Sequence, residues 1–133
     1  MRFKSNLRVA KPPSKPLMVY DGDCNFCKYW AARWKRNCDG VVDFTPFQDR
    51  QLEIRFPEIP QGQFQKAVHF IDADGAVYLG AEAVYRALAR NRERQWPLNF
   101  YRHSRFFAKS SELIYHFVSR HRGFFSWIWG THE

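Results

Sequence analysis

Apolar side chains recur in short blocks, and their spacing changes from block to block. Leu17-Met18-Val19-Tyr20 is unbroken, which predicts a short strand covered on both faces, where no polar alternation is needed. Asp21-Gly22-Asp23 ends it with turn-forming residues. From Cys24 the spacing lengthens. Phe26, Cys27, Trp30, Ala31 and Trp34 gather on one face of a predicted helix, while Lys28, Lys35 and Arg36 lie elsewhere. Asn37-Cys38-Asp39-Gly40 stops that helix, and Val41 to Phe44 predicts a second strand. Residues 45–60 read as irregular, with a short helix around 49–56. Ala67 to Ile71 and Ala76 to Leu79 predict a third and a fourth strand. The turn Asp72-Ala73-Asp74-Gly75 between them marks a hairpin in which Gly75 suits a positive φ. A helix is predicted over about 81–90, with Val84, Ala87 and Leu88 inward. Pro97 breaks the chain. Beyond it the spacing is helical again, with Phe106/Phe107, Leu113/Ile114 and Phe117/Val118 in one stripe, until Gly123 precedes the ring-rich Phe124-Phe125-Ser126-Trp127-Ile128-Trp129.

This order constrains the topology. Two strands joined by a helix run parallel, because the crossover returns the chain in the same direction. The hairpin strands run antiparallel. Both conditions are met by a mixed four-stranded sheet flanked by helices, an α/β arrangement of thioredoxin-like class, here with an extra C-terminal helical segment. A chain of 133 residues is long enough for one such core. Residues 1–15 read as a flexible basic arm, and 16–133 as a single domain.

Composition agrees with a folded chain: 45% of residues are apolar and 26% charged. The net charge of +8 attracts nucleic acid, anionic lipid or acidic proteins without choosing among them. Arg2, Lys4, Arg8, Lys11 and Lys15 carry part of it in a stretch with no acid. No RNA-recognition signature or paired zinc-ligand motif appears, so no specific nucleic-acid partner is expected. Nowhere do about 18 apolar residues run together, so no transmembrane helix is expected. The aromatic tail beside Arg120 and Arg122 either packs on its own domain or a partner, or makes peripheral contact with a membrane surface. The basic N-terminus lacks the apolar run of a signal peptide, and a cytoplasmic location is expected.

Three cysteines are an odd number, which fits redox or metal chemistry better than a disulfide scaffold. Tyr20-Asp21-Gly22-Asp23-Cys24-Asn25-Phe26-Cys27 delivers one cysteine from a strand to a helix N-terminus and sets the second one turn in. That spacing puts both sulfurs on one side of the helix, within bridging reach after modest adjustment. The free amides of the helix start favour the thiolate of Cys24, and Cys27 is expected to be the better shielded thiol. Cys24 then attacks a disulfide and Cys27 resolves the mixed intermediate. Asp21 and Asp23 support the site as turn and cap formers. Alternatively, Asp21 takes the proton of Cys27.

CxxC is also half of a zinc site. Its other half is missing, since Cys38 is the only further thiol and His116 and His121 stand apart on a distant segment, so no metal and no cofactor are expected. Cys38 reads as a small turn residue or as a third thiol able to link to a partner. His69 reads as a hydrogen-bonded strand residue.

The motif Tyr-Asp-Gly-Asp-Cys-Asn-Phe-Cys after a short apolar strand resembles the signature of the DCC family of predicted thiol-disulfide oxidoreductases, also known as a domain of unknown function. The similarity continues through Val68-His69-Phe70-Ile71-Asp72, Asp74-Gly75, Val77-Tyr78 and Gly80-Ala81-Glu82-Ala83, and ends at Tyr115-His116-Phe117-Val118-Ser119-Arg120-His121-Arg122. The resemblance covers roughly residues 16–125 and implies a thioredoxin-like fold. It also implies exchange with protein or low-molecular-weight thiols and disulfides. Thioredoxins place a cis-proline just before the third strand; here Gln65-Lys66-Ala67 has none, so substrate docking must differ. Two other readings compete. Asp21-Gly22-Asp23 after a strand mimics the nucleophile motif of haloacid-dehalogenase-type phosphatases, a chemistry that needs a downstream Lys and a further acidic pair for Mg²⁺ in a larger parallel sheet, whereas Asp72 and Asp74 lie in a hairpin. A non-catalytic binding module would use the basic and aromatic surface instead.

Overall fold

Leu17, Met18 and Val19 are 4%, 0% and 1% exposed, so the strand they form is covered on both faces and sits inside the sheet. In the computed structural model, residues 7–38, 40–91 and 95–121 are described. The elements in chain order are β1 (Leu17–Tyr20), α1 (Asn25–Cys38), β2 (Asp43–Pro46), α2 (Gln51–Arg55), α3 (Gln61–Lys66), β3 (His69–Ile71) and β4 (Val77–Leu79). The helices α4 (Gly80–Leu88), α5 (Trp96–His103) and α6 (Arg105–Arg120) follow. The sheet has four strands in the order β2-β1-β3-β4. β1 pairs in parallel with β2, and β3 is antiparallel to both β1 and β4. This is the predicted mixed sheet of thioredoxin-like class.

Register sorts the core into two layers. Leu17 stands opposite Ile71 and Met18 opposite Phe70, and successive strand side chains point to opposite faces. Leu17, Val19, Ile71 and Val77 therefore pack with Leu52, Phe56 and Phe64 from α2 and α3 and the loop between them. Met18 and Phe70 pack on the other face with Cys38 at the end of α1 and Ala83 and Ala87 of α4.

Several boundaries differ from those predicted. β2 begins at Asp43 rather than Val41, because it is the stretch facing Leu17 to Tyr20 that enters the ladder. Gln61–Lys66 forms a helix where none was expected, held inward by Phe64, which is 3% exposed. The arm expected to be flexible is docked from Leu7 onward. Val9 is buried in the first core layer, and its amide donates to Gly75 O at 2.9 Å, while Val77 N–H donates to Leu7 O at 3.2 Å. Gly75 has φ 94°, and a Cβ there would lie 2.9 Å from Val9 O, so the hairpin tip admits the arm only as glycine.

The stripe on α6 is the largest departure. Phe107 and Val118 are half-buried, but Phe106, Leu113, Ile114 and Phe117 are exposed. α6 instead buries Ala108, Ser111 and Glu112. The Glu112 carboxylate accepts the Ala81 amide at 3.0 Å and the Tyr101 hydroxyl at 2.5 Å. A buried carboxyl left without donors is costly. Meeting these two donors sets the rotation of α6, and small residues beside Glu112 allow the close approach.

His69 is fully buried against Phe64, ring centroids 4.8 Å apart, with Nδ1 donating to Ala67 O at 2.9 Å. Burial pushes its pKa down from 6.5 to about 4, so the ring is neutral when folded at pH 7. Above 6.5 neither state is protonated and the full stability is present. Between 6.5 and about 4 the unfolded chain takes up the proton first, so stability falls as pH drops. The loss reaches about 3 kcal/mol once both values are passed. Burial raises the Glu112 pKa, which acts in the opposite sense: that carboxyl's contribution is present below its unfolded value of 4.5 and lost as pH rises through the folded value. Urea denaturation at pH 7 and at pH 4.5 isolates the histidine. The wild-type midpoint should fall further than that of His69→Asn, which retains an N–H donor but does not titrate; equal falls would remove His69 as the cause.

Candidate functional site

The approach to Cys24 is a turn built from its own side chains and from one residue across the sheet. Asp21 Oδ1 accepts the Asp23 amide at 3.0 Å, the local bond that makes aspartate a turn former. Gln48 clamps the turn from the end of β2. Its Nε2 donates to Asp21 Oδ1 at 2.9 Å and to Asp23 Oδ2 at 3.3 Å, and its Oε1 accepts the Gly22 amide at 2.9 Å. A Cβ on Gly22 would lie 2.7 Å from Pro46 Cβ, so this approach of turn to strand end requires glycine. Phe47 N–H donates to Tyr20 O at 2.7 Å, closing the strand ends together.

Cys24 occupies the N-cap of α1. Its carbonyl accepts Lys28 N–H at 2.9 Å, and its Sγ accepts the Cys27 amide at 3.2 Å, so sulfur satisfies one of the free N–H groups of the helix start. Asp23, expected as a cap, stands one residue outside the helix, is exposed, and contributes its carboxylate to Gln48 instead. The two sulfurs lie 2.6 Å apart and are not joined in a disulfide. Their exposure is the reverse of that expected. Cys24 is buried, 8% exposed, and Cys27, one turn into α1, is the half-buried one.

Cys27 opens into a groove of about 420 Å³. Phe26 and Trp30 of α1 form one wall, Tyr115 and Val118 of α6 another, and Ala67 and Val68 ahead of β3 the floor. Asp21 also reaches this wall. Trp30 Nε1 is buried there without a hydrogen-bond partner among the described residues. Ala67, just ahead of β3, is extended at φ −160°, ψ 158°. The Val68 amide that follows donates to the Tyr115 hydroxyl at 2.8 Å, and its carbonyl accepts Gly80 N–H at 3.1 Å. The Val68 backbone groups are thus taken by α6 and α4, and Ala67 O by the His69 ring, and the groove is lined mainly by rings and aliphatic carbon.

The remaining candidates lie apart from the pair. Cys38 is 1% exposed and donates to Ala87 O at 3.3 Å; burial pushes its pKa up to about 11, so it is a protonated core thiol at neutral pH. His116 is half-buried and His121 exposed, both on or at the end of α6. Among the described residues, no three His, Cys, Asp or Glu side chains gather as a metal-ligand group. Asp72 follows Ile71, which pairs with Leu17 at the start of β1, whereas Asp21 follows Tyr20 at its end. The acids required by the phosphatase reading therefore occupy opposite ends of the strand, and Asp72 is bound to Arg90 and to the Ala73 amide. The aromatic tail from Phe124 to Trp129 lies outside the described residues.

Gln48 escaped the sequence reading because it falls in a stretch without periodicity. The parallel register Tyr20 opposite Pro46, carried two residues further, sets Gly22 beside Gln48. Register was the signal that could have found it.

A family model described as DCC1-like thiol-disulfide oxidoreductase matches residues 18–127. No curated protein and no solved structure matches the chain.

Two measurements test the geometry. Gly22→Ala must displace Pro46 or the turn, and its expected cost is about 1–3 kcal/mol in urea denaturation. Gln48→Ala loses exposed bonds that water partly replaces, and should cost about 0.5–1.5 kcal/mol. Reversed magnitudes would mean that the turn is held by something else. In a Cys24→Ser/Cys27→Ser double variant, Cys38 is the sole thiol and should react with an aromatic disulfide reagent at pH 8 only after urea unfolding. Prompt reaction in buffer would contradict its burial.

Proposed function

The chain belongs to the DCC1-like thiol-disulfide oxidoreductase family, and from that premise we propose that Cys24 and Cys27 exchange a dithiol for a disulfide with protein or low-molecular-weight substrates. The observation that carries the reading is at the start of α1: two sulfurs 2.6 Å apart and not joined in a disulfide, with the Cys27 amide directed at Cys24 Sγ. An N–H donor and the helix field favour negative charge on the capping sulfur. Cys24 is therefore assigned the attack.

The steps balance within the pair. Cys24 thiolate attacks one sulfur of a substrate disulfide, breaking that S–S bond and releasing one substrate thiolate. Cys27 gives its proton to solvent and attacks Cys24 Sγ, releasing the second substrate thiolate and closing a Cys24–Cys27 disulfide. Two electrons pass to the substrate; the reverse sequence oxidises a dithiol. Asp21 is assigned to holding the turn, since its Oδ1 already accepts from Asp23 and Gln48. The groove beside Cys27 is the proposed seat for the substrate, favouring apolar or aromatic groups next to the reacting sulfur. The cytoplasm is the proposed compartment, where a reducing thiol pool would return the pair to its dithiol form.

The test is dithiothreitol-driven reduction of a protein disulfide, with single serine variants. Cys24→Ser should fall to the uncatalysed rate. Cys27→Ser should accumulate a mixed disulfide that survives non-reducing electrophoresis and is identified by its mass. A stable adduct with Cys24→Ser instead would exchange the two roles, and unchanged turnover in both variants would end the dithiol assignment.

A further inference from the structure

α6 turns a line of large apolar side chains away from the protein. Phe106, Leu113 and Phe117 are 82%, 55% and 59% exposed, and they fall along one line of a helix with about 3.6 residues per turn. Ile114, 65% exposed, flanks them and also reaches the groove beside Cys27. The surface extends onto α5. Trp96 and Phe100 are exposed and in edge contact, 6.0 Å between centroids, and Phe100 lies 5.7 Å from Phe107 of α6. Contiguous apolar surface of this kind marks an interaction site rather than the scattered exposure normal for a protein surface.

The exposed charge of α5 and α6 has one sign. Arg102, Arg105, Lys109 and Arg120 are exposed on α5 and α6, and the one acid of the two helices, Glu112, is fully buried. A second copy of the chain would bring these cations against their equivalents with no exposed acid of the same helices to pair them. A single-stranded nucleic acid needs ring faces to stack on, whereas Leu113 and Ile114 occupy the middle of the line. An apolar line of Phe, Leu and Ile bordered by Arg and Lys has the make-up of a helix that lies in a lipid interface. No described helix is long and apolar enough to cross a membrane.

We propose that the outward face of α5 and α6 docks on an anionic lipid bilayer, with Phe106, Leu113 and Phe117 entering the boundary between headgroups and acyl chains and Arg105, Lys109 and Arg120 meeting lipid phosphates. Docking does not depend on the thiol chemistry. It does place one wall of the groove next to the bilayer, because Ile114 belongs to both surfaces.

Co-sedimentation of the full chain with vesicles of phosphatidylcholine, and of phosphatidylcholine mixed equally with phosphatidylglycerol, tests the proposal. Binding to the mixed vesicles should be at least about tenfold tighter and should weaken on raising salt to about 0.5 M. Phe106→Glu and Phe117→Glu should each lower binding at least about tenfold, with circular dichroism and the unfolding midpoint unchanged because both side chains are exposed. Lys109→Glu, which removes no apolar contact, should lower binding to the mixed vesicles alone. Equal binding to both vesicle types, or wild-type binding by the glutamate variants, overturns the proposal. So does a dimer in sedimentation velocity that Phe106→Glu disperses, which assigns the face to a second copy. Oligonucleotide binding abolished by the same substitution, without vesicle binding, assigns it to nucleic acid.

Discussion

The parallel pairing of β1 with β2 is the constraint on which the site depends. One register, Tyr20 opposite Pro46, fixes how far each strand extends before its chain turns away. It sets Gly22 against Pro46 and Gln48 within reach of both aspartates. The turn then has one length, and the next residue, Cys24, falls at the N-cap of α1 with its sulfur over the Cys27 amide. A slip of one residue would reverse the faces of Leu17, Met18 and Val19, all of them buried. Hydrophobic burial on both sides of the sheet therefore holds the position of a sulfur that contributes little to the core itself.

The rotation of α6 is fixed by polar rather than apolar matching. Glu112 brings a carboxylate to the start of α4, where Ala81 N–H lacks a partner within its own helix, and Tyr101 of α5 completes its coordination. One buried acid thus joins three helices. It also decides what α6 presents elsewhere. With Ala108, Ser111 and Glu112 inward, the large apolar residues of the opposite side have no place in the core, while Tyr115 and Val118 close the groove and Tyr115 takes the Val68 amide.

Sequence reading recovered what depends on local periodicity and on chemistry carried in a short segment. The four strands, α1 and α4, the Gly75 hairpin and the closeness of Cys24 to Cys27 all follow from runs and spacings inside one block of chain. It failed where partners come from different blocks. Gln48 has no local signature, and only the strand register links it to Gly22. The docking of Val9 beside Gly75 depends on an approach no window around Val9 contains. The stripe on α6 was visible, but apolar spacing gives a face without saying which way it points. Glu112, a lone acid among apolar and small residues, was the sign that another face was buried. Exposure of the two thiols was also illegible, since position in a helix says little about what packs over its first turn.

Dithiol chemistry makes two demands that oppose each other. A sulfur that attacks needs donors to hold its charge, and donors at a helix start come with surrounding backbone that restricts access. A sulfur that meets substrate needs space. In the proposed exchange these demands fall on different residues: Cys24 has the amide and little surface, while Cys27 has the groove. A substrate seated in the groove would lie beside Cys27 while its reacting sulfur is offered to Cys24, whose sulfur is 2.6 Å from that of Cys27. Apolar groups flanking that sulfur would then become part of the reaction geometry, because the walls of the groove beside Cys27 are rings of α1 and α6. Access to the buried sulfur and selectivity among disulfides would both be set by the shape of one aromatic wall.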